Sequence, residues 1–392
     1  MSGLKQSPWG HGFADIIDLW DWNQTTERVV AVTEDDVRLV LAKARRNTRR
    51  LEPDDFMVLI SPAAAPFIEE MATLSRRFTR ERFGNTISMY IPMYVSNACS
   101  NACVYCGFNH ANELKRTILT MEQVEAECRA IKELGQFDNL LIVSGEMPSL
   151  CGTDYFENVL RTCRPYFNNL TIEVQPMKTE QYSRLIGAGL NGVVCFQETY
   201  RRSTYRDYHP RGMKSIYDWR LNGYDRMGAA GVHKIGMGVL IGLEDWRTDM
   251  VMLSRHLRYL QKRYWRTRYS VNFPRMCPSE SGFNPKVVMS DRELAQLTFA
   301  FRIFDHDVDI SFSTRESEIF RNNMMTLGVT SMSAGSRTEP GGYALSNDAL
   351  EQFEVTDSRT PTQVADAIRA NGYEVVWKDW DAIFDRSHEP TN

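Results

Sequence analysis

Residues 87–109 read ISMYIPMYVSNACSNACVYCGFN, an apolar run that leads straight into Cys99, Cys103 and Cys106. Its β-branched and aromatic residues predict a strand over Ile87–Val95, with three cysteines at spacing C-x3-C-x2-C on the loop that follows. Further along the chain, strand-like runs alternate with helical ones. The candidate strands are Leu140–Val143, Leu170–Val174, Gly192–Phe196, Ile235–Ile241, Tyr269–Phe273, Asp309–Ser313 and Val329–Ser333. Several are continuous apolar stretches, such as LLIV and GVLIGL, as strands buried on both faces should be. Eight strands alternating with helices over roughly 250 residues fit a (β/α)8 TIM-type barrel better than an open doubly wound sheet.

The intervening helices carry their own signals. Thr120–Leu134 has Thr120 as N-cap and Gln123 at the third helical position, with Met121, Val124, Ile131 and Leu134 on one face and Gly135 at its stop. Similar patterns occupy Tyr155–Arg164, Thr179–Ala188, Ile216–Ala230, Arg247–Arg263, Asp291–Phe304 and Glu318–Thr326. Upstream, residues 1–86 predict a helical cover with helices at Thr33–Arg46, Pro53–Leu59 and Pro66–Phe78. The barrel is assigned to 87–336. Residues 337–392 form a C-terminal extension, with a helix at Thr362–Asn371 and an aromatic segment at Val375–Trp380, packed against the barrel.

Composition narrows the function. The 392 residues carry 46 basic against 50 acidic side chains, a net charge of −4 that offers no basic surface for nucleic acid. No apolar run approaches the roughly 20 residues of a membrane span. The N-terminal MSGLKQSPWGHGF lacks the pattern of a secretory leader, so reduced thiols in the cytoplasm are expected of the eight cysteines.

Three readings compete for the cysteine cluster. Packing cysteines are seldom crowded three into eight residues. Zinc would want a fourth ligand, His110 or a distant cysteine. An iron–sulfur cluster with three thiolates leaves one iron open for another ligand. Cys128, Cys163 and Cys195 sit on helices or in a strand and read as packing; Cys151 and Cys277 read as loop residues without partners in sequence. At the C-terminal strand ends, where this fold places its chemistry, stand Gly145, Glu146, Glu173, Gln175, Gln197, Glu198, Gly242, Arg275, Arg315 and Ser333. Strand ends also meet water, so no one of these is informative by itself.

The C-x3-C-x2-C spacing, with aromatic Tyr105 before the last cysteine, resembles the signature of the radical S-adenosylmethionine (SAM) superfamily. The resemblance implies a [4Fe–4S] cluster on Cys99, Cys103 and Cys106 whose open iron chelates SAM, and whose electron releases a 5′-deoxyadenosyl radical. Ser144–Glu146 (SGE) resembles the GGE motif that holds the SAM amino group, with Ser144 in place of the first glycine and Gly145 and Glu146 retained. Glu173, Gln197 and Glu198 are then expected at the ribose or ammonium. Arg220 is expected at the SAM carboxylate, which a guanidinium matches bidentately.

The segments EVQP (173–176), FQETY (196–200), STRES (313–317), SAGSRTEPGGY (333–343) and VWKDWD (376–381) extend the likeness to the aromatic amino acid lyase branch, and within it to tyrosine lyases of thiamine biosynthesis. That implies L-tyrosine with its carboxylate on Arg315 and with Ser333 and Tyr94 shaping its pocket. Cα–Cβ scission would give 2-iminoacetate and p-cresol beside 5′-deoxyadenosine and methionine. It also implies a flavodoxin- or ferredoxin-type reductant and a thiazole synthase to accept a product that water destroys. The N-terminal helices and the tail are the expected cover against water. A hydrogenase-maturation lyase would carry a second cysteine cluster, and the only cysteine after Cys195 is Cys277. A tryptophan lyase is the nearer rival, and a zinc-stabilised binding protein is the alternative from another class.

Overall fold

The computed structural model describes residues 11–46, 50–276, 282–345 and 352–378. Cys277, Asp379 and Trp380 lie outside the described residues. Eight parallel strands close into a barrel: β1 (Thr86–Ser96), β2 (Asn139–Ser144), β3 (Asn169–Glu173), β4 (Gly192–Glu198), β5 (Lys234–Val239), β6 (Arg268–Asn272), β7 (Asp309–Phe312) and β8 (Ser331–Ser333). The sheet runs β2 to β8 in order and returns through β1, which pairs with both β8 and β2. The eight expected strands are all present, with ends that differ by a residue or two. Ile91, Ile142, Ile172, Ile235 and Ile310 are fully buried, and burying each such side chain contributes about 1.5–3 kcal/mol.

Helices lie outside the strands. The helix Met121–Leu134 starts on a reciprocal cap: Thr120 Oγ1 accepts from Gln123 N at 3.3 Å and Gln123 Oε1 accepts from Thr120 N at 2.9 Å. The expected helix Ile216–Ala230 is two, Tyr217–Leu221 and Gly223–Ala230. The break falls at Asn222, whose Oδ1 accepts from Ala14 N at 2.9 Å while Asp225 accepts from Phe13 N at 3.0 Å, so the joint clasps the N-terminal segment. The expected helix at Pro66 begins instead at Ile68, because Pro62–Phe67 winds as a 3₁₀ turn.

The N-terminal helices do not cover the barrel mouth. They pack on the outer layer, against helices Trp246–Arg263 and Asp291–Phe304, where Phe56 meets Phe301 and Phe304. The tail does more than lie on the barrel. Strand β9 (Glu374–Val376) pairs in parallel with Thr86–Ser88 of β1, and Trp377 O accepts from Asp138 N at 3.2 Å beside the start of β2. It thereby wedges between β1 and β2 at the end opposite the cysteines.

A buried ion pair ties the tail to the barrel near β8. Arg321, on helix Glu318–Met324, donates to Asp357 and to the carbonyl of Ser333, and neither charged side chain is exposed by more than 1%. Removing one member leaves the other charged and desolvated. Asp357→Ala is therefore expected to lower unfolding free energy by roughly 3–5 kcal/mol in chemical denaturation. An unchanged midpoint would refute the pinning role.

Candidate active site

The loop after β1 is built to hold its cysteines in place. Arg116 donates to four backbone oxygens of this loop, those of Asn97 and Phe108 at 2.9 Å, Asn109 at 2.6 Å and Asn112 at 3.2 Å. Ser100 N donates to Glu146 O at 2.9 Å, which staples the loop to the end of β2. Gly145 permits that approach: a Cβ there would stand 2.3 Å from the carbonyl oxygen of Ala98. Cys99 and Cys103 are buried and Cys106 half-buried, and all three line one cavity at the C-terminal end of the barrel.

Burial pushes all three thiols up, Cys106 raises Cys99 further, and Cys106 and Cys99 both raise Cys103. Lys214 is the cation that opposes this for Cys103 and Cys106. Three crowded, buried thiols need more positive charge than one lysine to ionise together, which suits a polynuclear iron cluster. Among the described residues no three His, Cys, Asp or Glu side chains converge as ligands of a single ion. His110, the fourth ligand that zinc would need, turns Nδ1 to the Cys99 carbonyl at 3.3 Å.

A charged network faces the cysteines. Glu146 takes Arg220 Nη1 on Oε1 at 2.8 Å and Asn101 Nδ2 on Oε2 at 2.7 Å. Burial acts to raise this carboxyl, but Arg220 and Lys214 outweigh it and hold it below the ordinary range. Glu146 is thus a fixed anion. Arg220, expected at the SAM carboxylate, spends its guanidinium on Glu146 and on the Phe196 carbonyl at 2.6 Å. Glu198 has φ 71°, at a register shift in the β4–β5 pairing, a strained geometry for a side chain. Its carboxylate meets Lys214 Nζ at 2.7 Å.

Gln197 is a correction. It is fully buried and does not line the cavity, because it falls at the register shift between Phe196 and Glu198, both of which do line it. Neither of its amide atoms has a hydrogen-bond partner among the described residues.

Tyr94, Glu173, Arg315 and Ser333 line the same cavity, and Tyr94 shares one apolar cluster with Cys99, Phe108 and Val143. Ser333 Oγ accepts from Thr314 N at 3.2 Å. Arg315 makes no side-chain hydrogen bond or ion pair among the described residues. Its guanidinium carbon lies 3.3 Å from the ring centre of Phe353. Tyr94 donates its hydroxyl to Gln352 Oε1 at 2.7 Å. The cover of the cavity thus comes from the tail, through Gln352 and Phe353, and no described residue before Tyr90 lines it.

Glu173 is raised to about 7 by burial, with Glu198 adding to the effect and Arg315 opposing it. A carboxyl whose pKa rises on folding stabilises the fold fully below its unfolded value near 4.5, and that contribution is lost as pH rises through 7. Glu173→Gln removes the penalty. In protein free of cluster and SAM, its stability advantage over wild type is expected to grow by about 1 kcal/mol between pH 6 and pH 8. Denaturation at the two pH values tests this, and a constant difference would overturn it.

Asn101, Arg116, Lys214, Gln352 and Phe353 belong to the site without a motif to mark them. Only their placement reveals them.

Known proteins are similar to the chain along almost its full length. Residues 93–253 match the model of the Radical SAM superfamily, and residues 270–374 that of the Biotin and Thiamin Synthesis associated domain. The 2-iminoacetate synthase of Escherichia coli (strain K12) is 44% identical over 378 residues, covering 96% of this chain and 99% of that one. That of Salmonella typhimurium is also 44% identical, over 376 residues and 95% and 98% of the two chains. The crystal structure of HydG, a maturase of the [FeFe]-hydrogenase, superposes with a TM-score of 0.86 at 31% identity, covering 91% of this chain and 79% of that one. A near-complete alignment at this identity, on a barrel whose three cysteines face one cavity, settles the family: the chain belongs to the 2-iminoacetate synthase family of the radical SAM superfamily.

Proposed function

We propose that this chain cleaves the Cα–Cβ bond of L-tyrosine to 2-iminoacetate and p-cresol, converting SAM to 5′-deoxyadenosine and methionine, and so feeds the thiazole branch of thiamine biosynthesis. The observation that carries the reading is one cavity lined both by the three cysteines and by Arg315, a cation with no side-chain hydrogen bond or ion pair among the described residues. Membership in the 2-iminoacetate synthase family supports it. Cys99, Cys103 and Cys106 would hold a [4Fe–4S] cluster, which with SAM would supply the hydrogen-abstracting radical chemistry aimed at the substrate amino group.

The chain's own residues do the rest. Cys99, Cys103 and Cys106 are assigned as the cluster ligands. Glu146, kept ionised, is suited to the SAM ammonium, and Gly145 holds the strand end against the cysteine loop. We assign Arg220 to orienting Glu146, since its Nη1 donates to Glu146 Oε1 while its Nε is anchored on the Phe196 carbonyl. Glu198, aimed into the cavity, and Glu173 are the remaining carboxyls for ribose or ammonium. Arg315 receives the tyrosine carboxylate, a pairing that fixes distance and angle together. Tyr94 and Ser333 shape the amino acid pocket around it.

The imine product hydrolyses in water, which favours direct hand-over to a thiazole synthase. SAM cleavage takes one electron, and the oxidobenzyl radical released by scission takes a second, with a proton, to become p-cresol; two single-electron deliveries favour a flavodoxin or ferredoxin donor. A cytoplasmic setting suits both, and among the described residues no single helix is long and apolar enough to cross a membrane. The decisive experiment adds tyrosine or tryptophan, SAM and reductant to anaerobically reconstituted protein. We expect 5′-deoxyadenosine with p-cresol from tyrosine alone. A colourless zinc protein, or p-cresol absent while tryptophan is consumed, would overturn the reading.

A further inference from the structure

The C-terminal extension lines the reaction cavity with Thr338 and, further on, with two adjacent residues, Gln352 and Phe353. Both are held from behind. Gln352 N donates to Thr338 O at 3.1 Å, and Thr338 Oγ1 donates to Phe353 O at 3.1 Å. Four residues on, Thr356 N and Asp357 N both donate to Thr314 O at 3.0 Å, next to Arg315 in sequence. The buried Arg321–Asp357 pair then fixes this stretch to the barrel. The segment is therefore a wall of the cavity, pinned on two sides.

What the wall touches is informative. The Arg315 guanidinium carbon sits over the ring of Phe353, 3.3 Å from its centre, a separation too short for the guanidinium to stand on edge, so the two planes lie face to face. Stacking leaves the N–H donors of a guanidinium pointing outward in its own plane, and no described residue accepts from them. A half-buried cation with its face covered and its edge open is arranged for a planar anion such as a carboxylate. Gln352 accepts the Tyr94 hydroxyl proton at 2.7 Å, so the Tyr94 oxygen keeps its lone pairs for a donor such as an amine.

We propose that Phe353 and Gln352 are positioning residues for the α-amino acid substrate. Phe353 fixes the plane of Arg315 so that its edge meets the carboxylate, and Gln352 fixes the rotation of the Tyr94 hydroxyl. The inference rests on tyrosine lysis as the function and adds to it a task for the tail. Phe353 acts through Arg315 by stacking, which any flat aromatic ring can supply. Leucine would fill much of the space but would not order the guanidinium.

The test compares wild type, Phe353→Leu and Phe353→Trp as full-length reconstituted protein. Iron and sulfide content, the cluster's absorption spectrum, tyrosine binding by calorimetry, and KM against kcat are measured. Phe353→Leu is expected to weaken tyrosine binding and raise KM about 3- to 30-fold, with a smaller change in kcat and an unaltered cluster spectrum. Phe353→Trp is expected to recover to within about 3-fold of wild type. Wild-type binding in Phe353→Leu would overturn the proposal. So would equal impairment in both variants, or loss of the cluster in Phe353→Leu, each of which marks a purely structural wall. Failure of wild type itself to bind tyrosine would instead refute the lyase reading on which the proposal stands.

Discussion

Protein carrying Cys103→Ala is expected to emerge from anaerobic reconstitution with less than about one-tenth of the wild-type iron and sulfide, and with reductive SAM cleavage reduced by at least about 10³-fold. The size of the effect follows from the ligand count: three thiolates leave one iron open, and two cannot hold the same cluster. Cys103 is also the most deeply buried of the three, so water cannot readily stand in for its sulfur. Folding should survive, because the loop is held by Arg116 and by the Ser100–Glu146 hydrogen bonds rather than by sulfur contacts. Cys128→Ala is the control. Its thiol lies fully buried between two helices, 3.6 Å from Cys163 Sγ and outside the cavity, so the expected cost is about 1–2 kcal/mol of stability with iron retained. Wild-type iron content in Cys103→Ala would remove the cysteine from the site.

Much of this arrangement was legible in the chain, for reasons that can be named. The barrel shows in sequence because strands buried on both faces must be continuously apolar, as LLIV and GVLIGL are. The cysteines show because ligands from one short loop keep their spacing. Gln197 misleads because strand ends do line the cavity at Val143–Glu146 and Glu173–Val174, whereas the register shift in β4 leaves Gln197 buried off it. Glu198, its neighbour, reaches the cavity on a bulged backbone with positive φ, which no glycine announced. Strand β9 stayed hidden because three residues carry no periodicity. Gln352 and Phe353 were invisible for a deeper reason: they touch Tyr94 and Arg315, which lie 258 and 38 positions away along the chain. Arg116 and Lys214 have the same character, since a single cation in a loop has no pattern until the carbonyls and carboxylates gather around it.

The second large effect is expected at Arg315. Arg315→Ala should lower kcat/KM for tyrosine by about 10²- to 10⁴-fold while the cluster loads normally. Two charge-assisted hydrogen bonds contribute about 1.5–3 kcal/mol each, and losing both costs about 3–6 kcal/mol, which is that range. The loss should also change the partition of products. A substrate no longer held by its carboxylate is not aimed at the hydrogen-abstracting centre, so 5′-deoxyadenosine should accumulate in excess of p-cresol. Arg315→Lys separates charge from shape. Lysine keeps the positive charge but has neither the planar fork that grips both carboxylate oxygens nor a flat face to lie on Phe353. Were the arginine merely a counter-ion for Glu173, lysine would restore activity almost fully. If it is a directional anchor held in plane by the tail, lysine should recover no more than about tenfold of the loss, and the excess of 5′-deoxyadenosine should persist. Full rescue by lysine would therefore reduce Arg315 to a charge, and would take the role of Phe353 with it.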